Sequence, residues 1–187
     1  DVALMRTIPG MTVIVPSDDI EARAAVRAAL EMEGPVYLRF GRAAVPVINE
    51  RDDYKFEIGK GVQLKEGKDV SIIASGICVD SALKAAELLA ADGILADVIN
   101  IHTIKPLDEE IVLATAKKTG KVFVAEEHSV IGGLGSAVCD LLSEKAPTKV
   151  VKIGMNDKFG ESASAGELVK KYGLDGEGIY KTIKANL

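Results

Sequence analysis

The sequence is poor in several residue types, and each shortage argues against a class of protein. It has no tryptophan and only 4 Phe and 4 Tyr among 187 residues, although 48% of the residues are hydrophobic. An immunoglobulin-type sandwich is therefore not expected, and the abundant small and branched aliphatic residues favour helices packed on a mostly parallel sheet. Cys78 and Cys139 lie in apolar segments with no second Cys or His at metal-ligand spacing. This argues against a disulfide framework or a zinc site, and the expected compartment is a reducing cytoplasm.

Basic charge and long apolar runs are scarce as well. The formal net charge is −5 and no run of Lys or Arg exceeds two residues, so nucleic acid and anionic membranes are not expected partners. Apolar stretches such as residues 70–73 have the length of a strand, whereas a bilayer span needs roughly 20 residues. A soluble protein is expected. The chain opens at Asp1 without an initiator Met or a signal sequence, which suggests a fragment or a processed product.

The first quarter of the chain has the pattern of an incomplete domain. Residues 11–16 are rich in β-formers, capping residues then precede an Ala-rich helix predicted over 20–33, and a second strand is predicted over 35–40. One helix and two strands cannot bury both faces of a sheet, so residues 1–48 are interpreted as the tail of a larger domain. We place the domain boundary near residues 46–55, where Pro occurs and neither helical nor strand periodicity is present.

The remainder, residues 55–187, alternates strand and helix patterns. Such alternation indicates crossover connections in a largely parallel sheet, and therefore the α/β class. Ser81 is predicted to cap the first helix of this part and Gly93 to end it. The further predicted strands and helices are residues 69–75, 94–101, 121–127 and 148–154 for the strands, and residues 108–119, 135–145, 166–172 and 175–186 for the later helices.

Ligands of open α/β sheets bind at the carboxyl ends of the strands, so the loops there are candidate sites. In residues 75–78 a small residue and a Gly could turn backbone N–H groups toward an anion, but a tight turn explains the pattern better. In residues 102–108, His102 could be a general acid or base, although no nucleophile accompanies it. A role in hydrogen bonding alone is the simpler interpretation.

The third loop combines Glu126, Glu127 and His128 with the glycine-rich residues 132–136. Two carboxylates beside a His suggest a proton relay, and glycines opening a helix suggest phosphate binding. The spacing is not that of a dinucleotide fingerprint, there is no Walker lysine, and close packing of the helix on the sheet explains the glycines equally. The roles of His102, Glu126 and His128 therefore stay open.

The strongest anion-site candidates are two arginines near the carboxyl end of the strand at 35–40. Arg39 and Arg42 flank Phe40 and Gly41, and a guanidinium is suited to bidentate recognition of phosphate or carboxylate. A salt bridge at a domain junction is the alternative. Composition and spacing alone do not identify a reaction.

Five collinear segments resemble the C-terminal part of transketolases. Together they extend over essentially the whole chain: RTIPGMTVIVPSDDIEA (6–22), GPVYLRFGRAAVP (34–46), INIHTIKPLDEE (99–110), VFVAEEHSVIGGLGSAV (122–138) and DKFGESASAGELVKKYGLD (157–175). The resemblance implies that residues 1–48 are the end of a pyrimidine-binding domain and residues 55–187 a C-terminal domain, a three-layer α/β sandwich with a mostly parallel sheet.

The resemblance also implies a function. Transketolases use thiamine diphosphate and Mg²⁺ to transfer two-carbon ketol units between sugar phosphates. The catalytic glutamate, the pyrimidine pocket and the metal ligands belong to parts upstream of this chain or to another domain, so the chain alone is expected to bind no cofactor and to be inactive. Arg42 matches the arginine that grips the substrate phosphate, and Arg39 is expected to be a structural neighbour. The expected partners are an N-terminal diphosphate-binding domain or subunit and a second copy in a homodimer.

Three alternatives remain open at this point. Deoxyxylulose-phosphate synthase and the β subunit of 2-oxoacid dehydrogenases share this pair of domains, although HTIKPLD (102–108), the Glu-Glu-His run and Arg42 favour a transketolase. The chain could instead be a non-catalytic dimerisation or regulatory module.

Overall fold

The computed structural model describes residues 1–42, 44–51 and 53–187. Ala43, which belongs to the quoted segment 34–46, and Asp52, which belongs to the predicted boundary 46–55, lie outside the described residues. The helices are α1 Val2–Thr7, α2 Asp19–Glu31, α3 Cys78–Ala91, α4 Glu109–Thr119, α5 Leu134–Lys145, α6 Ala165–Lys171 and α7 Gly176–Lys184. The strands are β1 Thr12–Ile14, β2 Val36–Leu38, β3 Val62–Lys65, β4 Val70–Ala74, β5 Ala96–Asn100, β6 Thr103–Lys105, β7 Val122–Ser129 and β8 Val150–Met155.

The larger sheet has five strands in the order β3-β5-β4-β7-β8. β4 pairs in parallel with β5 and β7, β7 pairs in parallel with β8, and only the edge strand β3 is antiparallel among the described pairs of this sheet. Neighbouring residues of β4 show why the sheet needs helices on both faces. Ile72 packs in a cluster with Val79 of α3 and Ile179 of α7, whereas Ile73 packs in a second cluster with Val112 of α4 and Val138 of α5. The predicted α/β class with a three-layer, mostly parallel arrangement is confirmed.

A second, three-stranded sheet joins the two parts of the chain. Its order is β2-β1-β6, with β1 parallel to β2 and antiparallel to β6. Residues 103–105, which form β6, belong to the second part of the chain, so that part completes a sheet begun by the first. The sequence predicted neither β6 nor α1, because both are too short to show a periodicity.

Local end signals explain most helix boundaries. Asp108 accepts the N–H of Ile111 at the start of α4, and Gly120 ends that helix with a φ of 66°. The prediction that Ser81 caps α3 is wrong. The turn formed by Ser75 and Gly76 starts the helix at Cys78, and Ser81 lies buried within it.

No helix in the described part of the chain combines the length and apolar composition that a membrane crossing requires.

Candidate functional site

Arg42 lies just beyond the carboxyl end of β2, where the chain leaves the three-stranded sheet. The Arg39 N–H donates to the Ile14 carbonyl at 2.9 Å, which extends the β1–β2 pairing past Leu38. Arg42 is exposed. Within residues 1–42, 44–51 and 53–187, no ion pair uses its guanidinium. The Arg42 side chain is therefore available to an anion from solvent as far as the described residues are concerned.

The chain on both sides of Arg42 borders an open cleft of about 290 Å³. The start of α2 forms the opposite wall, with Ser17, Asp18 and Asp19 among its residues. Gly41 on the near wall packs against α3, since a Cβ at that position would lie 3.2 Å from the Ile77 Cγ2 atom. A small residue is therefore favoured at position 41, and the cleft is large enough for the terminal group of a small substrate.

Arg39 has a different environment from Arg42. Its guanidinium nitrogen lies 3.2 Å from the Glu127 carboxylate, and its Nε lies 3.5 Å from the Asp1 carboxylate. The Arg39 side chain is only 23% exposed. These contacts connect β2 to the end of β7, so Arg39 forms the salt bridge at the junction that was the alternative to an anion site.

The glycine-rich start of α5 already holds an anion supplied by the chain itself. The two carboxylate oxygens of Glu126 accept the Leu134 N–H at 2.7 Å and the Gly135 N–H at 2.8 Å, and the residue is 2% exposed. Burial raises the pKa of Glu126, while these hydrogen bonds and the positive charge of Arg6 act in the opposite direction. A phosphate at this helix terminus would need the same N–H groups, so the loop carries no phosphate site in this state.

His128 does not form a relay with the neighbouring carboxylates. Its Nδ1 donates to the Ser129 carbonyl at 2.9 Å, and its Nε2 accepts the Ala3 N–H at 3.4 Å. The Glu126 carboxylate is 3.9 Å from Nδ1, beyond hydrogen-bond distance. Burial lowers the pKa of the His128 imidazole. The ring is thereby committed to holding α1 against the end of β7.

His102 lies in the interior and is fully buried. Its Nδ1 atom is 2.9 Å from the Thr103 hydroxyl, and its ring centroid is 4.3 Å from that of Phe56. Burial lowers the pKa of His102, with smaller opposing effects from Glu21 and Asp108. A neutral, enclosed imidazole of this kind packs the junction and has no access to a substrate in solution.

The loop at residues 75–78 is a tight turn. Gly76 has a φ of 55°, and a Cβ there would lie 2.9 Å from the Val15 Cγ1 atom. The Cys78 N–H donates to the Ser75 carbonyl, and burial raises the pKa of the Cys78 thiol. These observations fit the structural interpretation of this loop, because the glycine is required by the turn and by its close approach to Val15, the residue directly after β1.

Sequence reasoning missed a buried polar network centred on Glu21. The Glu21 carboxylate accepts the Ser17 N–H and hydroxyl at 2.7 Å each, the Tyr54 hydroxyl at 2.6 Å and the Asn100 amide at 2.9 Å. Glu21 is fully buried. Helical periodicity could not reveal this role, because the partners lie 33 and 79 residues away. Through Tyr54, the network holds the segment that connects the two parts of the chain against α2.

Within the described ranges, no group of three or more His, Cys, Asp and Glu side chains is arranged to hold a metal ion. Cys78 is buried and Cys139 half-buried, and both are free thiols.

These features define a two-part α/β protein whose exposed arginine lies in its first part, beside the junction with the second. Residues 59–179 match the family model described as transketolase, C-terminal domain, and residues 1–47 match the model described as transketolase, pyrimidine binding domain. The chain belongs to the transketolase family, and the resemblance carried by the five segments is confirmed.

Relatives in several organisms support this assignment. The chain is 49% identical to a 6-deoxy-6-sulfo-D-fructose transketolase subunit of Clostridium sp. (strain MSTE9), over 97% of this chain and 56% of the relative. It is 45% identical to a putative transketolase C-terminal section of Methanocaldococcus jannaschii, over 98% of this chain and 58% of that protein. It is 41% identical to a 1-deoxy-D-xylulose-5-phosphate synthase of Geobacter sulfurreducens, over 100% of this chain and 30% of the synthase.

A solved structure titled "Split gene transketolase, inactive beta4 tetramer" has the same fold. It superposes with a TM-score of 0.91 at 48% identity, over 98% of this chain and 59% of that one. The chain thus spans little more than half the length of this structure and of the Clostridium and Methanocaldococcus relatives.

Proposed function

We propose that this chain is the C-terminal part of a thiamine-diphosphate-dependent transketolase, and that Arg42 binds the terminal anionic group of its sugar substrate. The observation that carries the role of Arg42 is its exposure at a position flanked in sequence by residues 40, 41, 44 and 45, which line a cleft of about 290 Å³ in the part of the chain that matches the pyrimidine-binding domain. Arg39 is engaged by two carboxylates and cannot perform this role without breaking those ion pairs.

The names of the relatives agree with an anion site. Relatives are named for 6-deoxy-6-sulfo-D-fructose, apulose 4-phosphate and 1-deoxy-D-xylulose 5-phosphate, and each of these sugars carries a sulfonate or a phosphate. A guanidinium can bind two oxygens of either group at once. We therefore infer that Arg42 recognises a terminal anion of a ketose, in a complete protein whose preferred sugar is one of this chemical class.

The complete protein needs further parts. We propose a diphosphate-binding domain or partner subunit, a homodimeric or larger assembly, and thiamine diphosphate with Mg²⁺ bound largely by parts outside this chain. When bound, the cofactor supplies a carbon nucleophile that accepts the ketol unit. The residues of this chain bind and orient the substrate end and pack the two parts together. The chain alone is expected to be inactive, and the cytoplasm is the proposed compartment.

The test uses the complete protein, with its partner subunit where the two are separate, thiamine diphosphate and Mg²⁺. Ketol transfer from xylulose 5-phosphate to ribose 5-phosphate is assayed beside 6-deoxy-6-sulfofructose and pyruvate as alternative donors. Transfer from a ketose supports a transketolase. Turnover only with pyruvate and a three-carbon aldehyde phosphate, with loss of CO₂ and formation of 1-deoxy-D-xylulose 5-phosphate, would instead indicate the activity for which the Geobacter sulfurreducens relative is named.

Arg42→Ala tests the site itself. Loss of a charge-assisted bidentate contact is expected to raise the KM for the phosphorylated ketose about tenfold to a hundredfold, with the cofactor still bound. Arg27→Ala is the matched control, because Arg27 is an exposed arginine of α2 whose neighbours in sequence, unlike those of Arg42, do not line the cleft. An unchanged KM in the Arg42 variant would remove Arg42 from the substrate site.

A further inference from the structure

Backbone hydrogen bonds anchor the chain both before and after Arg42. Before it, the Arg39 N–H bonds to the Ile14 carbonyl of β1 at 2.9 Å. After it, the N–H groups of Ile48 and Asn49 both donate to the same Asp18 carboxylate oxygen at 2.8 Å. Residues 48 and 49, which follow Arg42 in the sequence, are thus held by one side chain at the start of α2.

The buried Asp18 carboxylate accepts hydrogen bonds from backbone N–H groups of α2 and of the segment after Arg42. It is 4% exposed, and its other oxygen accepts the Glu21 N–H at 2.9 Å as the N-cap of α2. One carboxylate therefore caps the helix and clamps the loop. A neutral side chain of similar size could accept the Glu21 N–H and cap α2. It could not also accept the N–H groups of Ile48 and Asn49 as strongly as the second carboxylate oxygen does.

The neighbouring contacts make this clamp specific to residues 48 and 49. The Asn49 side-chain amide donates to the Ser17 hydroxyl at 3.0 Å, and that hydroxyl donates to Glu21. Burial by itself would raise the pKa of Asp18, but the hydrogen bonds from Glu21, Asn49 and Ile48 lower it overall, so the carboxylate stays ionised at neutral pH. Its charge is compensated locally by these donors, which limits its repulsion of an anion in the cleft.

We propose that Asp18 is a positioning residue for Arg42. Its carboxylate anchors residues 48 and 49 and thereby restrains the position of Arg42, whose guanidinium meets the substrate anion. This inference rests on the proposed role of Arg42. Asp18 makes no contact with substrate in this mechanism. It acts by restraining Arg42 before substrate arrives, which lowers the entropy cost of binding.

The experiment compares Asp18→Asn and Asp18→Ser with the wild type in the complete, cofactor-loaded protein. Asn and Ser both cap helices well, so α2 is retained while the loop clamp is lost. We expect the KM for a phosphorylated ketose to rise about threefold to twentyfold, and the KM for an unphosphorylated ketose and both kcat values to change less than twofold. Using two variants keeps the test valid if one of them folds poorly.

Two controls separate positioning from stability. Asp175→Asn alters the N-cap of α7, where Asp175 accepts the Gly178 N–H at 2.9 Å, and it should leave both KM values unchanged. In an Arg42→Ala background, Asp18→Asn should cause no further rise in KM, because its effect passes through Arg42.

The outcomes are distinguishable. If Arg42→Ala raises KM but neither Asp18 variant does, the positioning inference is wrong and the role of Arg42 stands. Equal losses with both ketoses, additive effects in the double variant, or failure of both Asp18 variants to fold would show a structural role instead. An unchanged KM in Arg42→Ala overturns the proposed site and the inference together.

Discussion

Gly133→Ala is expected to destabilise the protein by displacing the buried Glu126 carboxylate. A Cβ at position 133 would lie 2.6 Å from the Glu126 Cδ atom, whereas carbon atoms in contact are about 3.5–4.0 Å apart. Gly133 has a φ of −82°, which any residue adopts, so the cost is steric and not conformational. The carboxylate must move by about 1 Å, which disturbs its hydrogen bonds from Leu134 and Gly135.

The magnitude follows from those two bonds. A buried donor that loses its partner costs about 1–3 kcal/mol, so weakening two of them gives an expected loss of about 3 kcal/mol. With a urea m-value of about 2 kcal/mol/M, the unfolding midpoint should fall by about 1.5 M. The assay is urea unfolding of the complete protein followed by circular dichroism, at fixed protein concentration so that assembly does not change the midpoint.

The matched control is Gly166→Ala in the first turn of α6. No atom lies within 4 Å of a Cβ at that position, so this variant should be neutral or slightly stabilised. In a Glu126→Ala background the obstructing atoms are gone, and the Gly133→Ala penalty should shrink by more than half. A midpoint shift below about 0.3 M in the single variant, or full additivity in the double variant, would refute the reasoning.

Two further predictions concern pH. Burial acts to raise the pKa of Asp97, but hydrogen bonds lower it overall; the donors are Thr115, Lys118, Gly67 and Gln63. The ionised carboxylate therefore stabilises the fold at neutral pH. This contribution to stability is lost as the pH falls through the lowered pKa. Asp97→Asn should therefore lower the urea midpoint strongly at pH 7 and much less at pH 2; equal losses at both pH values would contradict this. Burial lowers the pKa of His102 below 6.5, so the unfolded chain binds the proton more readily and stability should decline as the pH falls below about 6.5. An NMR titration tests this directly, since the sequence has only 2 histidines, and a His102 pKa at or above 6.5 would disprove it.

Local sequence signals were enough to predict most of the fold. The pattern from Asp108 to Gly120 contains its own cap, its own apolar stripe and its own end, so α4 could be bounded to within a residue. Ser81 shows where the same logic fails. A capping residue type occurred inside a helix whose true start is set by the Ser75–Gly76 turn and by close packing of Gly76 against Val15, more than 60 positions earlier.

The candidate site could be predicted only in part for a related reason. Composition and spacing do not distinguish Arg39 from Arg42, and only the resemblance to transketolases favours Arg42 as the anion-binding residue. The structural difference arises from Asp1 and Glu127, which the fold brings to Arg39 from distant positions on either side of it in the sequence. Asp18, likewise, is recognisable in sequence as a helix cap, whereas its hold on Ile48 and Asn49 depends on the return path of the loop.

The start of α5 illustrates a general ambiguity of glycine-rich turns. Free N–H groups at a helix N-terminus attract an anion, and the sequence cannot tell whether that anion is a ligand or a side chain of the protein. Here Glu126 ends the buried part of β7 and reaches the helix that follows eight residues later, so the strand-to-helix crossover supplies its own carboxylate. The absence of a side chain at Gly133 is what gives Glu126 its space. Glycine therefore serves internal packing at α5.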